Sequence, residues 1–392
     1  MEIERYSLAR GESIFVGFFR MSRSFPFWFI FSTLVAWVWP GLLATSAIIF
    51  SKVFGIVNYE YLAIFLLLLV GIILTLGPWV YKTVETFQKI VISISISVIL
   101  IIVFFVTKNT DFGALARGII GIGENYLFLP EGISLLTFLG AMAFSGAGGN
   151  LNLAQSFYIK EKGYGMCKGT KGITSVLTGK AEKINLEGFY FKNTKENILY
   201  FQRWWKLVNL EHFLVFLITG IITILLLAIL SYSTAKGLAL NEQGINFLLN
   251  EARSISTMVS PAFSFIFLFI IAMMLFATQL TVFDSTSRII SENIVILKNK
   301  LNLSKVYYSI LWLQIIAGVI IFAVGYRDPL KLIVTSAVIN ALAMFFYIAA
   351  TYFLNQRHLP KEIQPSFFRK IIIGIIWIFF GVLTAYSFIS EL

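Results

Sequence analysis

Six consecutive small or polar residues, Ser145, Gly146, Ala147, Gly148, Gly149 and Asn150, interrupt an apolar run and are followed by Asn152 and Gln155. A glycine inside a helix costs about 1 kcal/mol relative to alanine, so this stretch predicts a helix that breaks. Unwound backbone exposes N–H and C=O groups, and the three amides add side-chain oxygens that can accept from a polar solute or ligate a cation. The competing reading is a close helix crossing, because Ser145 and Gly149 also fit a small-xxx-small pattern. Three amides beside the glycines favour the broken-helix site. Further along, Gln279 and Thr281 sit in another apolar run, and Asp284 stands one helical turn before Arg288. Placed near the cytoplasmic end of its span, the Asp284–Arg288 pair reads first as a helix-terminal ion pair, with an inner-gate or proton-path role as the sharper alternative. Asn340, flanked by Thr335 and Ser336, is the strongly polar residue near the middle of a later run and suits either an interhelical hydrogen bond or a substrate contact.

The elements that must position these residues are membrane spans. Of 392 residues, 58% are apolar and only 13% charged, against roughly a quarter charged in soluble domains, which excludes a soluble globular protein. Apolar runs near 20 residues long predict an all-α polytopic protein with about nine spans. These are A (26–50), B (60–78), C (88–106), D (131–158), E (211–233), F (261–284), G (306–324), H (330–354) and I (370–388). Alternating the loops puts 24 of the 31 Lys and Arg residues on one side, which predicts a cytoplasmic N-terminus. The net charge of +11 therefore reports orientation in a bilayer, not a nucleic-acid partner. The whole chain, 1–392, reads as one integral membrane domain with a basic cytoplasmic loop at 159–209.

That loop contains glycines but no phosphate-binding motif. Gly172 and Gly179 are separated by six residues, and Lys180 is followed by Ala181. A solvated basic loop facing anionic headgroups is the better reading, with Trp204 and Trp205 as interfacial anchors. Pro40 should kink span A. A single cysteine, Cys167, cannot form an internal disulfide, and two distant histidines, His212 and His358, do not suggest zinc. No nucleophile–base pairing, H-E-x-x-H or G-x-S-x-G is present, so an enzyme is not expected. Apart from Asp284, no span carries a carboxylate near its middle, so a cation site would be only partly supplied by this chain.

Three segments resemble the natural-resistance-associated macrophage protein (Nramp) family of divalent metal transporters, in a divergent prokaryotic branch: RYSLARGESIFVGFFR (5–20), SGAGGNLNLAQSFYIKEKGYGM (145–166) and FATQLTVFDSTSRIISENI (276–294). The resemblance implies the leucine-transporter (LeuT) fold, two inverted five-helix repeats with substrate held between the broken first and sixth helices. Spans A to C then look like helices three to five, D to H like six to ten, and I like an eleventh. The first two helices, with the family's Asp and Asn ligands, would be missing, and Met1 is expected to be an internal methionine of a truncated gene model. The family's sixth-helix motif is Met-Pro-His-Asn-Leu-x-Leu. Asn150, Leu151 and Leu153 match it, whereas Ala147, Gly148 and Gly149 replace Met, Pro and His.

On this resemblance the metal positions are Asn150 and Ala147. Losing the thioether removes the soft ligand that favours transition metals, so Mg²⁺ joins Mn²⁺ and Fe²⁺ as an expected cargo. Gly149 stands where the family has a histidine linked to proton movement. The implied function is secondary active transport of a divalent cation across the cytoplasmic membrane by alternating access, with no resident cofactor, the bilayer as partner and no obligate protein partner. Two alternatives stand beside it: an amino-acid or other organic-solute carrier of the same fold, and a non-transporting remnant or interaction subunit.

Overall fold

The computed structural model describes residues 1–77, 80–122, 148–168, 173, 186–235, 244–298, 300–325 and 329–390, and these are helical with no strand among them. The chain opens with α1 (Glu2–Arg10) and α2 (Ile14–Met21), followed by α3 (Phe25–Trp37) and α4 (Gly41–Phe54). Pro40 separates the last two at φ −84° and ψ 49°, so span A is two helical pieces and not one kinked rod. Next come α5 (Tyr59–Leu76), α6 (Val80–Val106) and α7 (Asn109–Ile119). A 3-10 turn, Gly149–Ala154, leads into α8 (Gln155–Lys162). Then follow α9 (Lys195–Glu211), a π-helical stretch His212–Ile218, α10 (Thr219–Ala235), α11 (Ile245–Met258), α12 (Pro261–Leu297), α13 (Leu303–Ala323), α14 (Pro329–His358) and α15 (Phe367–Ser390).

Seven helical stretches among the described residues are long and apolar enough to cross a membrane: Phe25–Phe54, Tyr59–Leu76, Val80–Val106, Lys195–Ala235, Pro261–Leu297, Leu303–Ala323 and Phe367–Tyr386. These answer to spans A, B, C, E, F, G and I. Span H is the 30-residue helix α14. Most of span D lies outside the described residues, as do Ser145, Gly146, Ala147 and the loop residues Gly172, Gly179, Lys180 and Ala181. Large apolar side chains point outward along the spans, Phe104 being 78% exposed, as expected where lipid is the solvent.

Two predicted boundaries are corrected. The 159–209 segment is not loop throughout, because α9 starts at Lys195, with the Thr194 hydroxyl accepting from the Asn197 amide at 3.3 Å and Glu196 in the first turn. It then runs unbroken into span E. Span F does not stop at Asp284 either. The helix continues to Leu297, since the polar run that ends its hydropathy is buried by neighbouring helices and contains no Gly or Pro.

Helix α12 is the central pillar, packed against α3, α4, α6, α11 and α13. Helices α5 and α13 cross closely. A Cβ on Gly71 would lie 2.6 Å from Ile315, and one on Gly318 3.0 Å from Leu67, so small residues set the approach. Around α1 and α2 an aromatic core gathers Phe15, Phe29 and Phe157, with Phe15 5.2 Å from Phe29 and 5.5 Å from Phe157 between ring centres. Gly11 turns the chain between the first two helices at φ 69°. Beside it the buried Glu12 accepts from the Tyr6 hydroxyl (2.6 Å), the Arg20 guanidinium (2.8 Å) and the Gly188 amide (2.8 Å). The N-terminal segment is thus a pin that ties the connection at Gly188 to the turn between α1 and α2.

Candidate functional site

Among the described residues the glycine stretch is not regular α-helix. Gly148 has φ −82° and ψ 52°, Gly149 sits at φ +53°, and α-helix begins only at Gln155. Two neighbours explain why glycine is needed. A Cβ on Gly149 would lie 1.9 Å from Asn340 Oδ1, and one on Gly148 would lie 3.1 Å from Leu151 and 3.4 Å from Trp37. The break is therefore wedged between the end of α3 and the middle of α14.

Asn150 is fully buried and its orientation is fixed by hydroxyls. Ser32 donates to the Trp28 carbonyl at 2.7 Å, which leaves its oxygen free to accept from Asn150 Nδ2 at 2.8 Å. Thr33 accepts from the same nitrogen at 2.9 Å. The amide nitrogen is thereby spent and Oδ1 is left with no donor among the described residues. Asn340, also fully buried, has neither amide end paired. An unpaired buried polar group costs about 1–3 kcal/mol, so two such amides around one stretch of unwound backbone mark a place built to receive something. Asn152 is committed elsewhere, donating to the Tyr347 hydroxyl at 2.6 Å. Gln155 is half-buried at the start of α8. Gln279 is buried on α12, and among the described residues no hydrogen bond ties it to the break. Ser32, Thr33 and Tyr347 are contacts that sequence reasoning missed.

A second polar cluster occupies the C-terminal half of α12. The Arg288 Nε donates to Asp284 Oδ1 at 2.8 Å, Nη1 pairs with Glu161 on α8, and the Tyr307 hydroxyl of α13 donates to Asp284 at 2.7 Å. Tyr158 of α8 shares a 2.9 Å hydrogen bond with Ser285. The expected Asp284–Arg288 ion pair is present, but it is not at a helix end. Asp284 is 0% and Arg288 2% exposed, mid-helix, because α12 extends well past them and its neighbours close over both. Around them Ser285, Thr286, Ser287, Ser291, Glu292 and Asn293 are all buried. The Glu292 carboxylate takes the Ser13 hydroxyl.

Trp204 and Trp205, expected as interfacial anchors, also make contacts within the protein. The Trp205 ring is flanked by the guanidinium groups of Arg5, 4.0 Å from its centre, and Arg369, 4.9 Å away, and Trp204 packs on Tyr164 at 4.7 Å. They lock α9 against α1 and α15, because stacked cations draw the rings inward.

A cavity of about 350 Å³ lies on the opposite face of α3, lined by Leu34, Val38, Trp39, Leu313 and Ala317. Of its two polar neighbours, Gln314 is engaged with Thr286 at 2.7 Å and Ser287 at 3.1 Å, whereas the Trp39 indole N–H has no partner among the described residues. Among the described residues no group of three or more His, Cys, Asp or Glu could hold a metal ion. What the break offers is neutral oxygen, from amides, hydroxyls and backbone. The chain matches no protein-family model, and no curated protein matches its sequence.

Proposed function

We propose that the chain is a secondary transporter of the LeuT architecture and the Nramp family, moving a divalent cation across the cytoplasmic membrane by alternating access, with nine spans and a cytoplasmic N-terminus. The observation that carries this reading is the pairing of unwound backbone at Gly148–Asn150 with two buried amides, Asn150 and Asn340, whose oxygens have no donor among the described residues. Irregular backbone at membrane depth is tolerated where it lines a polar cavity, and transporters place substrate at such breaks. Oxygen-only ligands suit a hard ion, so Mg²⁺ fits this donor set better than a thiophilic metal. Rocking of the break and α8 against α12 and α3 would expose the oxygens to one side at a time.

The absence of a carboxylate among the described residues touching the break favours, as a second reading, a zwitterionic solute that brings both of its own charges. One experiment separates the two. The chain in nanodiscs is titrated by calorimetry with Mg²⁺, Mn²⁺ and Ca²⁺ and then with amino acids, each repeated with Asn150→Ala. Saturable metal binding lost in the variant is expected. Binding of an amino acid alone would replace the cation reading, and no binding of either would overturn the site.

A further inference from the structure

Arg10, the last residue of α1, is only 14% exposed, yet its buried Nε has no hydrogen-bond partner among the described residues. Its ion pair with Glu12 is long, 3.9 Å, because that carboxylate is already taken by the Tyr6 hydroxyl, the Arg20 guanidinium and the Gly188 amide. The Tyr190 ring lies 5.8 Å from the Arg10 guanidinium and supplies no carboxylate. Two more cations stand close by at the end of α14, which packs on both α1 and α2. Arg357 is exposed and has no ion pair among the described residues, and His358 is half-buried beside it. Burial first, and then Arg10, Arg357 and Arg20, hold the His358 imidazole below its usual value, with Glu12 opposing them. Three guanidinium groups thus share one positive field against a single carboxylate.

The cluster lies at a membrane boundary. The apolar stretch Phe25–Phe54 begins five residues after Arg20. Helices α3 and α14 run antiparallel, since Trp28 near the start of α3 meets Phe346 at 4.7 Å, whereas the break touches Trp37 near its end and Asn340 earlier on α14. The start of α3 and the end of α14 therefore share one boundary. Below it, Phe27 and Phe31 of α3 and Phe346 and Phe353 of α14 are exposed. Phe346, Phe353 and Arg357 follow at seven- and four-residue steps, so an outward apolar face of α14 ends in a cation. A guanidinium fork matches phosphate oxygens with two parallel hydrogen bonds, and three such groups repel a headgroup that carries its own ammonium. We infer that Arg10, Arg20 and Arg357 form a phosphate site for an anionic phospholipid, its headgroup held where α3 starts and α14 ends and an acyl chain lying along Phe353 and Phe346. A free phosphate would satisfy the arginines but leave that apolar face uncovered. The site is independent of any cargo at the break.

The test titrates the full chain in detergent with phosphatidylglycerol or phosphatidylcholine and reads the half-saturating mole fraction from the rise in melting temperature. Phosphatidylglycerol is expected to half-saturate at a mole fraction about tenfold lower than phosphatidylcholine. Arg10→Gln and Arg357→Gln should each raise the phosphatidylglycerol midpoint by about fivefold and leave the phosphatidylcholine titration unchanged. Arg357 is exposed, so its variant keeps the test open even if Arg10→Gln fails to fold. Lys206→Gln removes the same charge from an exposed position on α9 and should change neither midpoint. Equal titrations by the two lipids would overturn the site, and so would an equal loss in Lys206→Gln. Full stabilisation by inorganic phosphate alone would also overturn it, assigning the arginines to a soluble anion.

Discussion

Replacing Gly149 with alanine tests the break more sharply than any ligand assay. The residue sits at φ +53°, where an L side chain costs about 1–2 kcal/mol. The new Cβ would also meet Asn340 at 1.9 Å from Oδ1, 2.3 Å from Cγ and 2.5 Å from Cβ, all side-chain atoms of one residue. Overpacking of that kind costs about 1–3 kcal/mol, so Gly149→Ala should destabilise the protein by about 2–5 kcal/mol in total. Asn340→Gly removes all three colliding atoms at a helix cost of about 1 kcal/mol. The double variant should then lose only about 2–3 kcal/mol, which is a favourable coupling of about 1–3 kcal/mol in the double-mutant cycle. Unfolding in mild detergent, followed by tryptophan fluorescence against denaturant, gives the four stabilities. Strict additivity would refute the claim that Asn340 abuts Gly149 and, with it, the geometry of the site.

Three further outcomes follow from the same structure. Glu251 on α11 is buried, touches only Thr234 at 3.5 Å among the described residues, and has its carboxyl pushed up to about 7 by that burial. The folded state thus holds a proton that the unfolded state has released, so stability should be full below the ordinary carboxyl value of 4.5 and fall by about 3 kcal/mol as pH rises through 7. Glu251→Gln should flatten a melting-temperature profile taken from pH 5 to 8. The Cys167 thiol, buried and pushed up to about 12, should alkylate at pH 8 roughly three orders of magnitude more slowly than an ordinary cysteine until denaturant exposes it. Trp205→Ala should cost about 1–3 kcal/mol by releasing Arg5 and Arg369, read as a lower denaturation midpoint, whereas Trp205→Phe should recover most of the loss.

Much of this site was legible because glycine spacing is a local signal. Gly148, Gly149 and Asn150 announce a break without any tertiary knowledge, and the structure puts one there. Asn340 was legible for a similar reason, as a strong polar group in an apolar run. The depth of Asp284 was not. The DSTSR run ends the hydropathy of span F and looks like an interface, yet a helix surrounded by other helices can keep polar residues inside, and only its neighbours reveal that. Glu161 was hidden in KEKGYG, a run whose composition reads as solvated. Ser32 and Thr33 carry no signal of their own, since hydroxyls in spans commonly bond to their own helix, as Ser32 does. Their second role appears only when Asn150 arrives beside them.

The π-helical stretch His212–Ile218 has its own consequence. Six of its seven residues are exposed, so nothing in the protein interior demands the wider coil there. A π segment accommodates an extra residue, which offsets the angular phase of everything before it by roughly 100° relative to everything after it. That offset lets α9 aim Trp205 at Arg5 and Arg369 while α10 keeps its apolar flank toward lipid. Phase is a single setting shared by both ends of the rod. Deleting one residue within 213–217 would heal the helix yet rotate the tryptophans off their arginines, so a locally better helix would make a worse protein.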